Sequence, residues 1–192
     1  VAFIIVFSEG MSGKITGILM GLGGIGVLIA IVTSGYRMKR FISFINPWKY
    51  ATDEGYQLVH SLYAIGTGGL FGVGLGNSKQ KALYMPEPHN DFIFAIICEE
   101  FGIIFAIGLM IIYFLLFYRG IRAAFVTKDS YSQLIAVGFS TMIACQTLVI
   151  IGGIFSVIPL TGITLPIISY GGSSVLTIFF ALGILQKISE EA

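Results

Sequence analysis

The sequence predicts an all-α fold: a polytopic transmembrane helix bundle with a large polar loop and a broken or re-entrant segment near its C-terminus. Three observations predict it. Of the 192 residues, 56% are hydrophobic and only 11% are charged, against about 25% charged in an ordinary soluble domain. The mean hydropathy is +0.91. Long stretches carry no charge at all: residues 15–36 have none in 22 positions, and residues 130–186 none in 57. A membrane crossing needs about 20 mostly apolar residues, so these stretches read as spans. The same figures exclude a soluble globular domain and a disordered chain, which needs low hydrophobicity and high net charge. A net charge of +1, from eleven Lys+Arg and ten Asp+Glu, makes no case for a nucleic-acid partner.

The elements follow in order within a single membrane domain, residues 1–192. Residues 1–8 are apolar and carry no basic leader, so they read as the end of a span, and the chain as the C-terminal part of a longer protein. Residues 15–34 form a glycine-rich span in which Gly17 and Gly21 permit close helix approach. Residues 35–90 are the long polar loop. Within it, Leu58, Val59, Leu62 and Tyr63 recur at helical spacing, which predicts an amphipathic helix lying in the membrane interface. Six glycines between Gly66 and Gly76 mark tight turns or close backbone approach. No GK[ST] follows them, which argues against a nucleotide loop.

Residues 91–118 form the next span, 119–131 a short loop, and 132–153 a further span. Pro159, Gly162, Pro166 and Gly171–Gly172 break the long uncharged run. Residues 155–172 are therefore a re-entrant or extended segment, and 173–187 the last span. Each proline removes an N–H donor, and irregular backbone at membrane depth is tolerated only where protein or a water-filled cavity covers it. Cys98 and Cys145 lie in apolar runs and match neither a disulfide framework nor a zinc spacing. Six cations on the long loop face five on the other side. Because short loops count most in the positive-inside rule, 119–131 reads as cytoplasmic and 35–90 as extracytoplasmic.

The densest chemistry begins at Asp91, where polar loop meets apolar helix. A carboxylate there is partly desolvated, which suits a general base; the same residue could instead cap the helix. Both readings stay open. Glu99 and Glu100 lie about 12–14 Å deeper, about 80° and 180° around the helix from Asp91. Buried carboxylates in a span are functional candidates by default, although pairing with a cation or backbone is the plainer role. Arg37, Lys39 and Arg40, with Lys79 and Lys81, would suit a phosphate-bearing substrate or anchor lipid headgroups. His60 and His89 are 29 residues apart with no carboxylate pattern around them, so no metal site is expected.

Taken together, these residues resemble a known family. Tyr36-Arg37-x-x-Arg40, Phe44-x-x-Pro47-Trp48 and Gly55-Tyr56-Gln57 lead into the glycine loop. Then come Asn90-Asp91-Phe92-Ile93-Phe94, Glu99-Glu100-x-Gly102 and Gly162-x-x-Leu165-Pro166-x-x-Ser169-Tyr170-Gly171-Gly172-Ser173-Ser174. The pattern resembles the SEDS family (FtsW, RodA and SpoVE), bacterial peptidoglycan glycosyltransferases of division, elongation and sporulation. Gly76 to Lys81 and Tyr84-x-Pro86-Glu87-Pro88-His89 are similar to the FtsW/SpoVE branch. The resemblance implies a bundle of about ten spans, of which this chain is the C-terminal half, in the bacterial cytoplasmic membrane.

It also implies that Asp91 is the catalytic residue and that the substrate is lipid II, an undecaprenyl-pyrophosphate disaccharide-peptide. Substrate-binding roles then fall on Arg37, Arg40, Lys79, Lys81, Trp48, His89, Ser169 and Ser173, and structural roles on Glu99, Glu100, Pro166, Gly171 and Gly172. No cofactor is evident, with a divalent cation on the pyrophosphate compatible. The implied partners are a class B penicillin-binding transpeptidase and other divisome or spore cell-wall proteins. Two rivals stand beside this reading: a lipid II flippase or transporter, since broken helices and buried carboxylates serve transporters too, and a noncatalytic scaffold. An acid at the membrane surface favours the polymerase; a transporter needs its charges near midplane.

Overall fold

A computed structural model describes residues 13–85 and 89–191. The expected end of a span at residues 1–8 lies outside them. Every regular element among the described residues is helical. Helix α1 spans Gly13–Thr33, α2 Gly35–Ile45, α3 Tyr56–Gly68, α4 Lys79–Leu83, α5 Ile93–Val126, α6 Ser130–Ile154 and α7 Gly172–Glu191, with a 3-10 turn at Pro47–Tyr50. Three of these, α5, α6 and α7, are long and apolar enough to cross a membrane. Their apolarity is nearly uniform around the axis, as lipid on one side and protein on the other demand.

Helix α5 runs on past the expected end at Tyr118 to Val126, carrying Arg119 and Arg122 on its last turns. Charged residues near a helix end can reach the interface along their own side chains, so they did not end the helix. Only residues 127–129 separate α5 from α6. Asp129 caps α6: its Oδ2 accepts from the Ser132 N–H at 2.9 Å and the Ser132 hydroxyl at 2.7 Å. Those two bonds hold its carboxyl below the usual carboxylate range.

Two apolar clusters hold the bundle. One joins α3, α5, α6 and the broken segment through Ala64, Phe94, Cys98, Ile154 and Leu165; the other joins α5, α6 and α7 through Ala124, Ala136, Ile143, Ile178 and Leu185. The amphipathic helix α3 does not spend its apolar face on the membrane interface. Leu58, Val59, Ser61, Ala64, Ile65 and Gly68 are buried instead, while Tyr63 stays exposed. Gly68 permits this packing, since a β-carbon there would stand 2.0 Å from the Cys98 carbonyl oxygen of α5.

Helix α5 is interrupted at Gly102, which has φ 83° and ψ 172°. A break strands carbonyls before it and N–H groups after it. The glycine loop supplies partners to members of both sets. Val73 and Gly74 donate to the Glu99 and Glu100 carbonyls at 2.9 and 3.0 Å, and Ile103 and Ile104 donate to the Gly69 and Leu70 carbonyls at 3.0 and 3.3 Å. The loop backbone approaches so closely that β-carbons on Gly72 and Gly102 would lie 2.2 Å from Glu100 O and 2.3 Å from Leu70 O.

Residues 155–171 contain no helix, as the two prolines predict. The segment is tied down by side chains. Tyr113 of α5 donates to the Pro166 carbonyl, Gln146 of α6 donates to the Thr164 carbonyl at 2.7 Å, and the Leu165 N–H donates to Ser169 Oγ at 2.8 Å. Backbone that left its helix thus finds partners from the neighbouring helices, which the apolar surroundings require.

Candidate functional site

Asp91 is half-buried immediately before α5. Ala95 and Ile96 donate to the Phe92 carbonyl at 2.9 and 3.2 Å, so the N-cap position falls on Phe92 and Asp91 stands one residue outside the helix. Asp91 also borders the broken segment. A β-carbon placed on Gly162 would lie 3.5 Å from Asp91 Oδ2 and 4.0 Å from Arg40 Nη1. Helix α2, the start of α5 and the broken segment thus meet here, with a carboxylate and a guanidinium both beside Gly162.

Arg40 is steered by its neighbours. Its Nη1 donates to the Leu160 carbonyl at 3.4 Å, two residues before Gly162. Behind it opens a cavity of ≈ 210 Å³ whose walls include Ser43, Asp53, Glu54, Gln57 and Leu160. Lys39 pairs with Glu54 at 3.2 Å. A bond from its own backbone N–H, then the Lys39 ammonium, hold the Glu54 carboxyl below the usual range.

The other predicted site residues fall into separate places. His89 borders the broken segment: the Tyr170 N–H donates to its carbonyl at 3.0 Å, and the two rings meet edge to face at 5.8 Å. Ser169 is buried and engaged with Leu165, while Ser173 is exposed in the first turn of α7. Pro166 is buried, and Gly171 packs against Thr164, whose Cγ2 would be 3.3 Å from an added β-carbon. Gly172 opens α7. Trp48 is exposed and meets Tyr63 edge-on at 5.6 Å. Arg37 lies on α2, its side chain outside the described residues, as are Pro86, Glu87 and Pro88.

Lys79 and Lys81 form a second group with the two glutamates. Glu99 accepts from the Ser78 hydroxyl, from the Lys79 backbone N–H at 3.2 Å and from Thr67 Oγ1 at 3.4 Å. Ser78 Oγ in turn accepts from the Lys81 N–H at 3.0 Å. Lys81 Nζ stands 3.7 Å from the buried Glu100 Oε1. The carboxylates thus anchor the start of α4, while the Lys79 side chain is exposed. The partners Thr67 and Ser78 were not singled out from sequence, although Ser78 before Lys79-x-Lys81 carries a helix-start signal. His60 bonds Gln80 Oε1 through Nδ1 at 2.6 Å and stacks on Tyr84, a packing role. Among the described residues no group of three or more His, Cys, Asp or Glu could hold a metal ion.

An acid and an arginine thus meet at the end of a membrane helix, beside a broken segment. The family model described as "Cell cycle protein", FtsW/RodA/SpoVE, matches residues 1–192. Stage V sporulation protein E of Bacillus subtilis is 46% identical over 173 residues, covering 90% of this chain and 47% of that protein. The probable peptidoglycan glycosyltransferase FtsW of the same organism is 42% identical over 202 aligned positions, covering 98% and 49%. A solved structure reported for the structural coordination of polymerization and crosslinking by a peptidoglycan synthase complex superposes with a TM-score of 0.76 at 27% identity, covering 98% of this chain and 52% of that one. The rod shape determining protein RodA of Thermus thermophilus gives 0.61 at 26% identity, covering 98% and 46%. The chain spans about half the length of the curated relatives it matches. With its whole length matched by the family model, its α5–α7 apolar enough to span a bilayer and its fold shared with solved members, this membrane chain belongs to the FtsW/RodA/SpoVE family.

Proposed function

We propose that the full-length protein is a peptidoglycan glycosyltransferase that polymerises lipid II on the outer side of the bacterial cytoplasmic membrane. One observation carries this reading: Asp91 Oδ2 and Arg40 Nη1 converge on Gly162 where α5 begins. The 4-hydroxyl of the acceptor sugar attacks the anomeric carbon of the donor, and Asp91 takes the hydroxyl proton as the new C–O bond forms. The bond from that carbon to the pyrophosphate oxygen breaks, undecaprenyl pyrophosphate leaves, and the configuration inverts. Such a step needs a base at the attacking oxygen and positive charge at the leaving group; Arg40 supplies the latter, with Arg37 on the same helix.

The remaining roles follow the same reading. Lys79 and Lys81 offer further positive charge, and Trp48, His89, Ser169 and Ser173 contribute to lipid II binding. A class B penicillin-binding transpeptidase is the partner that would cross-link the product, alongside other division or spore cell-wall proteins. A divalent cation assisting the pyrophosphate remains compatible with the scheme.

The test uses the purified full-length protein with its transpeptidase partner and labelled lipid II. Asp91→Asn keeps the side chain's size but not its proton affinity. Polymerisation should fall about 10²–10⁴-fold, the usual cost of losing a general base, with thermal stability nearly unchanged. Polymer at the normal rate from a folded variant would remove Asp91 from the reaction. Loss of lipid II translocation without loss of polymerisation would favour a flippase.

A further inference from the structure

We propose that the stretch joining α3 to α4 is a re-entrant turn whose tip, Leu70, Phe71 and Leu75, sits among the acyl chains of membrane phospholipids, in the leaflet on the side of the long loop. The proposal stands apart from the glycosyltransferase reading and requires only that α5 crosses the membrane.

The depth of the turn follows from its hydrogen bonds. Ser61 of α3 donates to the Ile154 carbonyl at 3.2 Å, where α6 ends and the Phe155 ring meets Phe94 of α5 at 6.3 Å. Further along the chain, the Leu70 carbonyl accepts from the Ile104 N–H at 3.3 Å. The stretch therefore runs inward beside α5 from the level of Phe94 to that of Ile104, about 15 Å at the α-helical rise. Counted back from Arg119, a crossing of about 20 residues ends near Glu99. Ile104 lies deeper than that, and the tip of the turn lies with it.

The side chains are ordered as the bilayer is. Residues 55–78 carry no formal charge in 24 positions, although they belong to the polar loop. At the tip, Leu70, Phe71 and Leu75 are 61%, 82% and 74% exposed, a costly group to leave in water. About 10 Å nearer the surface along α3, Tyr63 is exposed and meets the exposed Trp48, the residue types that favour the headgroup level. Ahead of α3 come the exposed Asp53 and Glu54. The backbone of the turn is also paired as hydrocarbon demands: the Gly72, Val73 and Gly74 N–H groups donate to the Gly68, Glu99 and Glu100 carbonyls at 2.8, 2.9 and 3.0 Å.

Photo-crosslinking in the full-length protein identifies what covers the tip. The protein carries p-benzoylphenylalanine at position 71 in nanodiscs of phosphatidylglycerol and phosphatidylethanolamine with alkyne-tagged acyl chains. Illumination should join tagged phospholipid to this variant and leave a variant with the same probe at position 53 at background. A crosslink from position 71 to another segment of the protein would overturn the proposal, as would phospholipid labelling no greater than at position 53. Labelling that is lost when lipid II is added would overturn it too, by assigning the tip to a prenyl chain. A second measurement compares Phe71→Glu with Phe71→Leu by hydrogen exchange in the same nanodiscs. Phe71→Leu should keep the protection of the Val73 and Gly74 amides, whereas Phe71→Glu should lower it about tenfold or more, because a charge in hydrocarbon drives the turn out of it. Equal protection in the two variants would overturn the proposal.

Discussion

The hydroxyl of Tyr113, midway along α5, donates to the carbonyl of Pro166 in the broken segment, 53 residues further along the chain. Both residues are buried. The bond ties the irregular backbone that presents Gly162 to the helix that begins just after Asp91, and so helps to fix the two walls of the site relative to each other.

Tyr113→Phe leaves the ring in place and removes one of two donors to the Pro166 carbonyl, which still accepts from the Ile168 N–H at 2.9 Å. Losing one such hydrogen bond costs about 0.5–1.5 kcal/mol. Thermal unfolding of the full-length protein should register that loss. Lipid II polymerisation should fall further than for an equally destabilising change in the α6–α7 cluster, such as Ile178→Val. Equal activities at matched stability would mean that Tyr113 holds the fold but not the site.

Gly102→Ala meets two obstacles at once. The position has φ +83°, and its β-carbon would stand 2.3 Å from the Leu70 carbonyl oxygen. Backbone atoms cannot swing aside as a side-chain end can, so the loop must leave the break in α5. Strain and overpacking of this kind cost about 3 kcal/mol or more together. Hydrogen exchange should show loss of protection at Val73, Gly74, Ile103 and Ile104, the four donors that bridge the break. Unchanged protection at those amides would refute the bridging account.

Lys81 separates a structural role from a substrate role. Lys81→Ala leaves Glu100, 6% exposed, without its cation and should destabilise the protein by about 1–3 kcal/mol. Glu100→Gln in the same molecule removes the stranded charge and should restore most of that loss, a coupling that a double-mutant cycle measures. If the double variant also regains polymerisation, Lys81 serves Glu100 alone. If stability returns and polymerisation does not, Lys81 acts on the pyrophosphate as well.

The helices that can cross a membrane were legible because their signal is local. Fifty-seven consecutive residues without a formal charge have few places to go but lipid or protein, and Pro159 and Pro166 remove donors wherever they sit, so residues 155–171 had to leave the helix. The acid at the end of the polar loop was readable for the same reason, whereas α6 begins at Ser130, two residues before the expected 132.

The pairing of groups across the chain was not. Nothing in the spacing of Arg40, Asp91 and Gly162 says that they meet, because their meeting depends on how α2, α5 and the broken segment pack together. The periodicity of α3 predicted an apolar face but not its occupant, since lipid and a neighbouring helix are equally apolar; Gly68, by letting α3 close on Cys98, decided for the helix. Glu99 and Glu100 read as carboxylates whose plainer role was pairing with a cation or backbone, and it took the tertiary fold to name the partners: the Ser78 hydroxyl, the Lys79 N–H and Lys81. Gly102 was one glycine in an apolar run, a mild weakness for a helix. It became a break because a separate glycine loop supplied four hydrogen bonds across it. The local sequence determined which segments leave water, and long-range packing decided which polar groups face one another, because desolvation acts residue by residue whereas hydrogen bonds and charge pairs need two partners brought together.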